Sequence, residues 1–136
     1  MAPLLFLRAI LAGRPIQVFN DGQMRRDFTY IEDIVSGVLA ALDKPPTDDG
    51  MLPPCAVYNL GNHRPVELEH FIRVIEQAAG RPALKEYKPL QPGDMVQTSA
   101  SIERVKDALG FEPTTTIDTA LPQVVAWCRD YFGDKL

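Results

Sequence analysis

Apolar residues recur every three or four positions in five parts of the chain, which is the spacing of one face of a helix. Gly13 and Gly80 follow the last periodic residue of two of these parts, where helices commonly end in a left-handed residue. A proline pair at 45–46 ends another, because a residue that precedes proline disfavours helical backbone. In the last part, Thr116 is a candidate N-cap, and Pro122 is expected to bend the helix. The pattern predicts helices over residues 3–12, 31–42, 67–79, 101–109 and 116–132.

Shorter stretches with alternating or wholly apolar side chains predict strands. Residues 16–19 alternate and are followed by the turn-forming residues 20–22, Asn-Asp-Gly. Residues 56–60 have the composition of a buried strand, and residues 84–87 form another short one. Residues 27–30 are expected to be a further short extended piece, whereas 45–54 is expected to be a surface loop.

Helices and strands therefore alternate along most of the chain, which predicts the α/β class. The length of 136 residues favours one domain, over 1–136. Helix 31–42 and strand 56–60 have the order of a crossover in a parallel sheet. The sequence offers this strand few parallel partners.

Composition excludes several classes of function. The net charge is -4 without a long run of one sign, which argues against nucleic-acid and anionic-membrane partners. No apolar run approaches the roughly 18 residues that a membrane span needs. The apolar start of the chain is interrupted by Arg8, which favours a helix over a signal peptide. Cys55 and Cys128 match no metal spacing and are expected to be reduced thiols in a cytoplasmic protein.

Cofactor and metal motifs are missing from the sequence. The nine glycines are scattered singly, whereas a dinucleotide site needs several in one phosphate-binding loop. His63 and His70 form no ligand-spaced pair. Tyr131 and Lys135 have the spacing of a catalytic tyrosine–lysine pair, but Gly133 separates them and no cofactor site precedes them. The sequence therefore predicts neither a cofactor site nor a metal site in this chain.

Two segments carry a recognisable pattern. Residues 16–34 contain the string Arg-Asp-Phe-Thr-Tyr-Ile-Glu-Asp-Ile, and Tyr-Asn-Leu-Gly at 58–61 is followed later by Gln-Pro-Gly-Asp at 91–94. Together they resemble the extended short-chain dehydrogenase/reductase family. Within it they are most similar to the UDP-glucuronate 4-epimerases of capsule and lipopolysaccharide precursor synthesis.

The resemblance implies a set of substrate-binding residues. Val18 and Phe19 match the segment that holds the uracil, and Arg26 matches an arginine that binds the diphosphate. Asp94 matches a carboxylate that accepts hydrogen bonds from ribose hydroxyls. Two further matches are Gln91, for the diphosphate or the sugar, and Thr98, at the border of the sugar pocket.

Each assignment has a structural alternative. Val18 and Phe19 would alternate between core and solvent in any strand, and Asp94 would cap any proline–glycine turn. Arg26 would be a surface arginine if it were paired with Asp27 or Asp33. The residues around Thr98 also depart from the family pattern, and Arg25 is expected to be solvated.

The fold implied by the resemblance is the small C-terminal substrate-binding portion of an extended short-chain dehydrogenase/reductase, lacking most of the Rossmann domain. NAD and the tyrosine–lysine pair belong to the other portion of full-length relatives, so the chain is expected to be a fragment that is not catalytic alone. It is expected to bind a UDP-sugar weakly, to bind no NAD and to self-associate. Two alternatives remain open: a fragment of a nucleotide-sugar dehydratase or decarboxylase, and a non-enzymatic binding module with a decayed site.

Overall fold

The computed structural model describes residues 2–48, 50 and 53–133 of the chain. Helices and short strands alternate, as the sequence pattern predicts. The elements are α1 (Ala2–Leu11), β1 (Pro15–Phe19), a 3-10 turn (Asn20–Gly22), β2 (Arg25–Arg26), α2 (Ile31–Asp43), β3 (Val66–Glu67), α3 (Leu68–Ala79), β4 (Leu84–Lys88), α4 (Glu103–Leu109) and α5 (Ile117–Phe132).

The strands of the described residues form two small sheets. Strands β1 and β4 pair in parallel, from Pro15 opposite Leu84 to Phe19 opposite Lys88. Strands β2 and β3 pair antiparallel, with Arg25 opposite Glu67. Because β3 runs directly into α3 and β2 follows the 3-10 turn, the second sheet ties the end of that turn to the start of α3.

The larger hydrophobic core lies where one face of β1 packs against α1, α3 and α5. Alternate residues of β1 face this core, which is why Ile16 and Val18 are buried while Gln17 is exposed. The most deeply buried side chains of this core are Leu7, Ile10, Val18, Phe71, Ile72, Ile75 and Cys128.

Helix α2 packs through its small and polar side. A Cβ atom on Gly37 would lie 2.6 Å from Cδ2 of Leu60 and 3.0 Å from Cδ2 of Phe111, so any larger residue here would displace the Leu60 side chain. Asp33 is also buried and accepts hydrogen bonds from the backbone N–H groups of Thr114 and Thr115 at 3.3 and 3.1 Å. The helix rests there on a second, smaller core formed by Ile102, Val105, Leu109 and Phe111.

The apolar side of α2 faces away from both cores. Its exposed stripe, called here the α2 stripe, consists of Ile31, Val35, Val38, Leu39 and Leu42. Leu42 is 74% exposed. A helix normally buries its apolar face, so this reversed orientation leaves a surface that is costly in water.

The structure confirms the five predicted helices, with small shifts at their ends. Helix α3 begins at Leu68 because Glu67 belongs to β3, and α4 begins two residues later than predicted, at Glu103. Thr116 occupies the N-cap of α5, but its hydroxyl lies 3.2 Å from that of Thr119 and makes no capping bond to the backbone. Pro122 lies inside α5, which continues to Phe132.

Strands 16–19 and 84–87 are confirmed, whereas two other extended predictions are wrong. Pairing occurs at Arg25–Arg26 rather than over 27–30, because the ring of Phe28 turns inward to stack on Phe71 at 4.4 Å. Residues 56–60 form no strand within the described chain, since no described strand lies beside them. Val57 in this segment is 70% exposed.

Further features bear on the class of protein. Cys55 and Cys128 are unpaired, as predicted, and burial raises the pKa of Cys128. Among residues 2–48, 50 and 53–133, no helix has the length and apolar character to cross a membrane. Lys135, the second member of the tyrosine–lysine spacing, lies outside the described residues.

Candidate functional site

A cavity of about 740 Å³ opens beside the end of β1 and receives residues from five segments of the chain. Three of the predicted site residues, Phe19, Arg26 and Asp94, line it together. Gln17 adds a further polar side chain, and the apolar lining comes from Pro3, Leu5, Phe6, Met24, Phe28 and Leu68. An apolar pocket with a few convergent polar groups is the usual form of a small-molecule site.

Strand alternation separates the two residues predicted to hold a base. Val18 is 0% exposed and belongs to the core, so the structure does not present it to a ligand in the cavity. Phe19 points to the other face of β1, where its half-buried ring lines the cavity. The alternative of simple core packing therefore describes the Val18 side chain, whereas Phe19 is placed for apolar contact.

Arg26 reaches the cavity from the end of β2 and is held by three hydrogen bonds. Its Nη2 atom donates to Oδ1 of Asp94 at 2.8 Å, and its Nη1 atom donates to the carbonyl oxygens of Arg25 and Val96 at 3.0 and 3.2 Å. The Arg26 and Asp94 side chains keep 26% and 35% of their surface exposed. The guanidinium is thus fixed at the cavity edge while remaining accessible from solvent.

Asp27 and Asp33, the two other possible partners of Arg26, form hydrogen bonds with backbone groups instead. Oδ2 of Asp27 accepts the backbone N–H groups of His63 and Ala100 at 3.0 and 2.9 Å. Asp33 is occupied at the second core by the 114–115 backbone. Asp94 is therefore the acidic partner of Arg26.

A tight turn over residues 91–94 places Asp94. Its N–H donates to the carbonyl of Gln91 at 3.1 Å, and Gly93 adopts a left-handed backbone with φ +83. Oδ1 of Asp94 also accepts the N–H of Met95 at 2.9 Å, which orients the carboxylate. Gln91 is exposed at the start of the turn and is not part of the cavity lining, so the structure separates it from the other three residues.

Thr98 lies in a neighbouring, more open cavity of about 480 Å³. Its hydroxyl accepts the N–H of Asp27 at 3.3 Å, and the lining includes Thr29, Asn59 and Ser101. Asp27 lines both cavities, and its Oδ1 atom is buried without a hydrogen-bond partner among the described residues. The site of Thr98 is therefore adjacent to the Arg26 site but distinct from it.

Sequence reasoning missed a polar cluster on the opposite face of the β1–β4 sheet. Glu69 accepts hydrogen bonds from Nζ of Lys85 at 2.8 Å and from the hydroxyl of Tyr87 at 3.0 Å. Burial raises the pKa of Glu69, but these two bonds and the lysine charge outweigh it, and the net shift of the pKa is downward. Lys85 and Tyr87 are two positions apart on β4, so their side chains lie on the same face of the strand. This spacing could have indicated the cluster from the sequence.

This cluster supports the turn between Phe19 and Arg26. A Cβ atom on Gly22, which has φ +80, would lie only 2.8 Å from Oε1 of Glu69. The turn therefore packs directly on Glu69, and a larger residue at this position would be strained by the positive φ and would displace the Glu69 carboxylate. The described residues include no group of three or more histidine, cysteine or acidic side chains that would suit a metal ion.

Comparisons with known proteins identify relatives of the whole chain. Residues 3–61 match the model of the family described as NAD dependent epimerase/dehydratase. The chain is 36% identical to Protein CapI of Staphylococcus aureus, covering 97% of the chain and 43% of that protein. It is 34% identical to a probable UDP-glucuronate 4-epimerase of Rhizobium meliloti, covering 93% of the chain and 41% of that protein.

A solved structure supports the same relationship. The UDP-glucuronic acid 4-epimerase from Bacillus cereus, in complex with UDP-glucuronic acid and NAD, superposes with a TM-score of 0.82 at 28% identity. The superposition covers 96% of this chain and 40% of that one. The chain thus spans about two fifths of the length of the relatives it matches, 43% and 41% for the two curated proteins above.

Proposed function

The chain belongs to the NAD-dependent epimerase/dehydratase family, within the extended short-chain dehydrogenase/reductases, and on this premise we propose that it binds the UDP part of a UDP-sugar. UDP-glucuronate is the proposed sugar nucleotide. The observation that carries the proposal is the convergence of Phe19, Arg26 and Asp94 on one cavity from three separate segments.

The chemistry of these three side chains suits three parts of one ligand. The Phe19 ring offers a flat apolar surface to a uracil base. Arg26 carries planar N–H donors that match phosphate oxygens. The Asp94 carboxylate can accept both hydroxyls of a ribose diol.

Gln91 and Thr98 are proposed as outer contacts of the same ligand. The cavity of Thr98 borders the Arg26 site through Asp27, so a sugar attached to the diphosphate would extend toward it. Gln91 begins the turn that ends at Asp94, and we propose it as a contact to the diphosphate or the sugar. These two residues are secondary to the three that share the main cavity.

In this proposal the reaction is that of a nucleotide-sugar epimerase. Such an enzyme oxidises the C4 hydroxyl of the sugar with NAD and returns the hydride to the other face. The chain supplies the UDP-sugar side of such a site and does not catalyse the reaction alone. We also propose a role in capsule or lipopolysaccharide precursor synthesis, as the sequence resemblance implies, and a cytoplasmic location.

We also propose that the chain self-associates. The α2 stripe is apolar and exposed, and a second copy of the chain would cover it without adding buried charge.

Titration calorimetry with UDP and with NAD+ tests the proposed binding function. UDP is expected to bind weakly and NAD+ to give no binding heat, because the cavity offers groups for a uridine diphosphate while the sequence has no glycine-rich phosphate loop. Both ligands carry a ribose joined to a diphosphate, so NAD+ controls for contacts that any ribose-linked diphosphate would make. Tight binding of NAD+ would overturn the proposal.

The Arg26→Ala variant is expected to weaken UDP binding by about 1.5–3 kcal/mol, the range for a hydrogen bond to a charged group. The matched control is Arg73→Ala, which removes an exposed arginine from α3 outside the cavity lining. The same titration on both variants separates a local contact from the loss of one positive charge. Equal affinities of Arg26→Ala and the unmodified chain would remove Arg26 from the site.

A further inference from the structure

The carboxylate of Asp27 joins three segments that are distant from one another in the sequence. Its Oδ2 atom accepts the backbone N–H of His63 at 3.0 Å and that of Ala100 at 2.9 Å. The N–H of Asp27 itself donates to the Thr98 hydroxyl at 3.3 Å. Asp27 directly follows β2, so this residue ties the end of that strand to the turn at 61–63 and to the backbone around Thr98.

The two backbone partners of Asp27 lie where the chain is tightly packed. His63 has a left-handed backbone with φ +51, which is uncommon for a residue with a side chain. A Cβ atom on Gly61 would overlap Cβ of Ala100 and would lie 3.2 Å from Oδ2 of Asp27. Such backbone persists only where its surroundings hold it, and the hydrogen bonds to Asp27 provide part of that hold.

The segment that Asp27 holds also reaches the guanidinium of Arg26. Its backbone runs beside β2, where the N–H of Arg25 donates to the Val96 carbonyl at 2.9 Å and the N–H of Thr98 donates to the Arg25 carbonyl at 3.2 Å. The Val96 carbonyl also accepts Nη1 of Arg26 at 3.2 Å. A shift of this segment would therefore move one of the groups that orient Arg26 at the cavity edge.

Asp27 lies between the two cavities and lines both of them. We infer that Asp27 is a positioning residue: by holding the backbone at 63 and 100, its Oδ2 atom keeps Arg26 in place for a bound diphosphate. Both partners of Oδ2 are neutral N–H groups, so the role depends on where this acceptor lies and not on its negative charge. This inference concerns the UDP site and so rests on the proposed function.

Two variants separate the position of the acceptor from its charge. Asp27→Asn removes the charge but keeps a carbonyl oxygen, which has lone pairs for both N–H groups. Its NH2 group would take the place of Oδ1, which has no hydrogen-bond partner among the described residues, so no such bond is lost. Asp27→Glu keeps the charge but adds a methylene, which moves the acceptor away from the two N–H groups.

UDP affinity is expected to fall roughly three- to thirtyfold in Asp27→Glu, the range for a residue that acts on a site through its neighbours. In Asp27→Asn the affinity is expected not to fall, because the acceptor stays in place and a negative charge is removed from the lining of a site for an anion. If Asp27→Glu does not fold, Asp27→Ala removes the same acceptor without adding volume.

The matched control is Asp33→Glu. Asp33 also accepts two backbone N–H groups, those of Thr114 and Thr115, but it lines neither cavity. The control therefore makes the same change to a buried carboxylate at another place. Its UDP affinity is expected to equal that of the unmodified chain.

Calorimetric titration of UDP into the unmodified chain and the three variants compares these affinities. Weakening confined to Asp27→Glu supports the inference. Equal weakening in Asp27→Asn would show that the charge is needed, and unchanged affinity in Asp27→Glu would show that the position of the oxygen is not; either result overturns the inference. Equal weakening in Asp33→Glu would also overturn it, because the effect would then follow from a general loss of stability.

A second measurement needs no ligand. Amide hydrogen exchange at Arg25 and Thr98, followed by NMR, is expected to be about fivefold faster in Asp27→Glu, the equivalent of one hydrogen bond, and unchanged in Asp27→Asn and Asp33→Glu. Unchanged exchange in Asp27→Glu would contradict the positioning role. Failure of the unmodified chain to bind UDP counts against the proposed function instead, and the exchange comparison distinguishes the two because it uses no nucleotide.

Discussion

At micromolar concentration the chain is expected to sediment as a dimer or larger assembly, not as a monomer. The α2 stripe and the exposed Val57 present apolar surface that neither hydrophobic core covers. Burying about 400 Å² of such surface is worth about 10 kcal/mol at ~25 cal/mol per Å². This is comparable to the stability of a whole domain, so association has a strong driving force.

A charged variant tests where the assembly forms. Val38→Lys combined with Leu42→Lys places two charges within the α2 stripe and is expected to shift the chain to a monomer. The control carries two lysines at exposed helix positions elsewhere, Gln77→Lys on α3 and Ala126→Lys on α5, and should sediment like the unmodified chain. Sedimentation velocity at matched concentrations reads out both. A compact, cooperatively melting monomer of the unmodified chain would contradict the expectation.

Replacing Phe71 by alanine is expected to lower the free energy of unfolding by about 3–5 kcal/mol, the usual cost of removing a buried phenylalanine. Phe71 is 1% exposed, stacks on Phe28 at 4.4 Å between ring centroids and lies 6.2 Å from Phe6. Both neighbours line the main cavity. The cavity left by the substitution would therefore weaken the core and loosen the wall of the proposed site.

Urea denaturation at one fixed protein concentration, followed by far-UV circular dichroism, measures this loss. Met95→Ala is the control, since Met95 is 63% exposed and its removal is expected to change stability by less than about 0.5 kcal/mol. Phe71→Leu, which keeps more of the buried volume, should fall between the two. A loss below about 1 kcal/mol for Phe71→Ala would show that the aromatic stack contributes little to the core.

Local patterns were sufficient to predict most elements of the fold. Helix periodicity, with glycine or proline at the helix ends, depends on residues within a few positions of each other, and all five helices form where it predicted them. The same holds for β1, whose alternation also predicts that one side chain of each neighbouring pair is buried. The family was likewise recognisable from short strings, because the residues within 26–34 and within 91–94 are contiguous in the chain.

Partner choice was decided only by the tertiary structure. Arg26 pairs with Asp94, 68 positions away, and not with the neighbouring Asp27 or with Asp33, because β2 runs beside residues 96–98 in the fold. The number of residues between two side chains does not indicate whether the fold brings them into contact. Asp27 and Asp33 are taken by backbone N–H groups that also lie far along the chain, at 63 and 100 and at 114–115.

The sequence also did not determine whether the apolar side of a segment is buried or exposed. Periodicity predicted that α2 has an apolar face, but the contact of Gly37 with Leu60 and Phe111 turned that face outward. Residues 56–60 have the composition of a buried strand, yet a strand needs a hydrogen-bonded neighbour and the described chain supplies none there. Composition therefore determined what each segment is suited to, and the three-dimensional packing determined which neighbours it has.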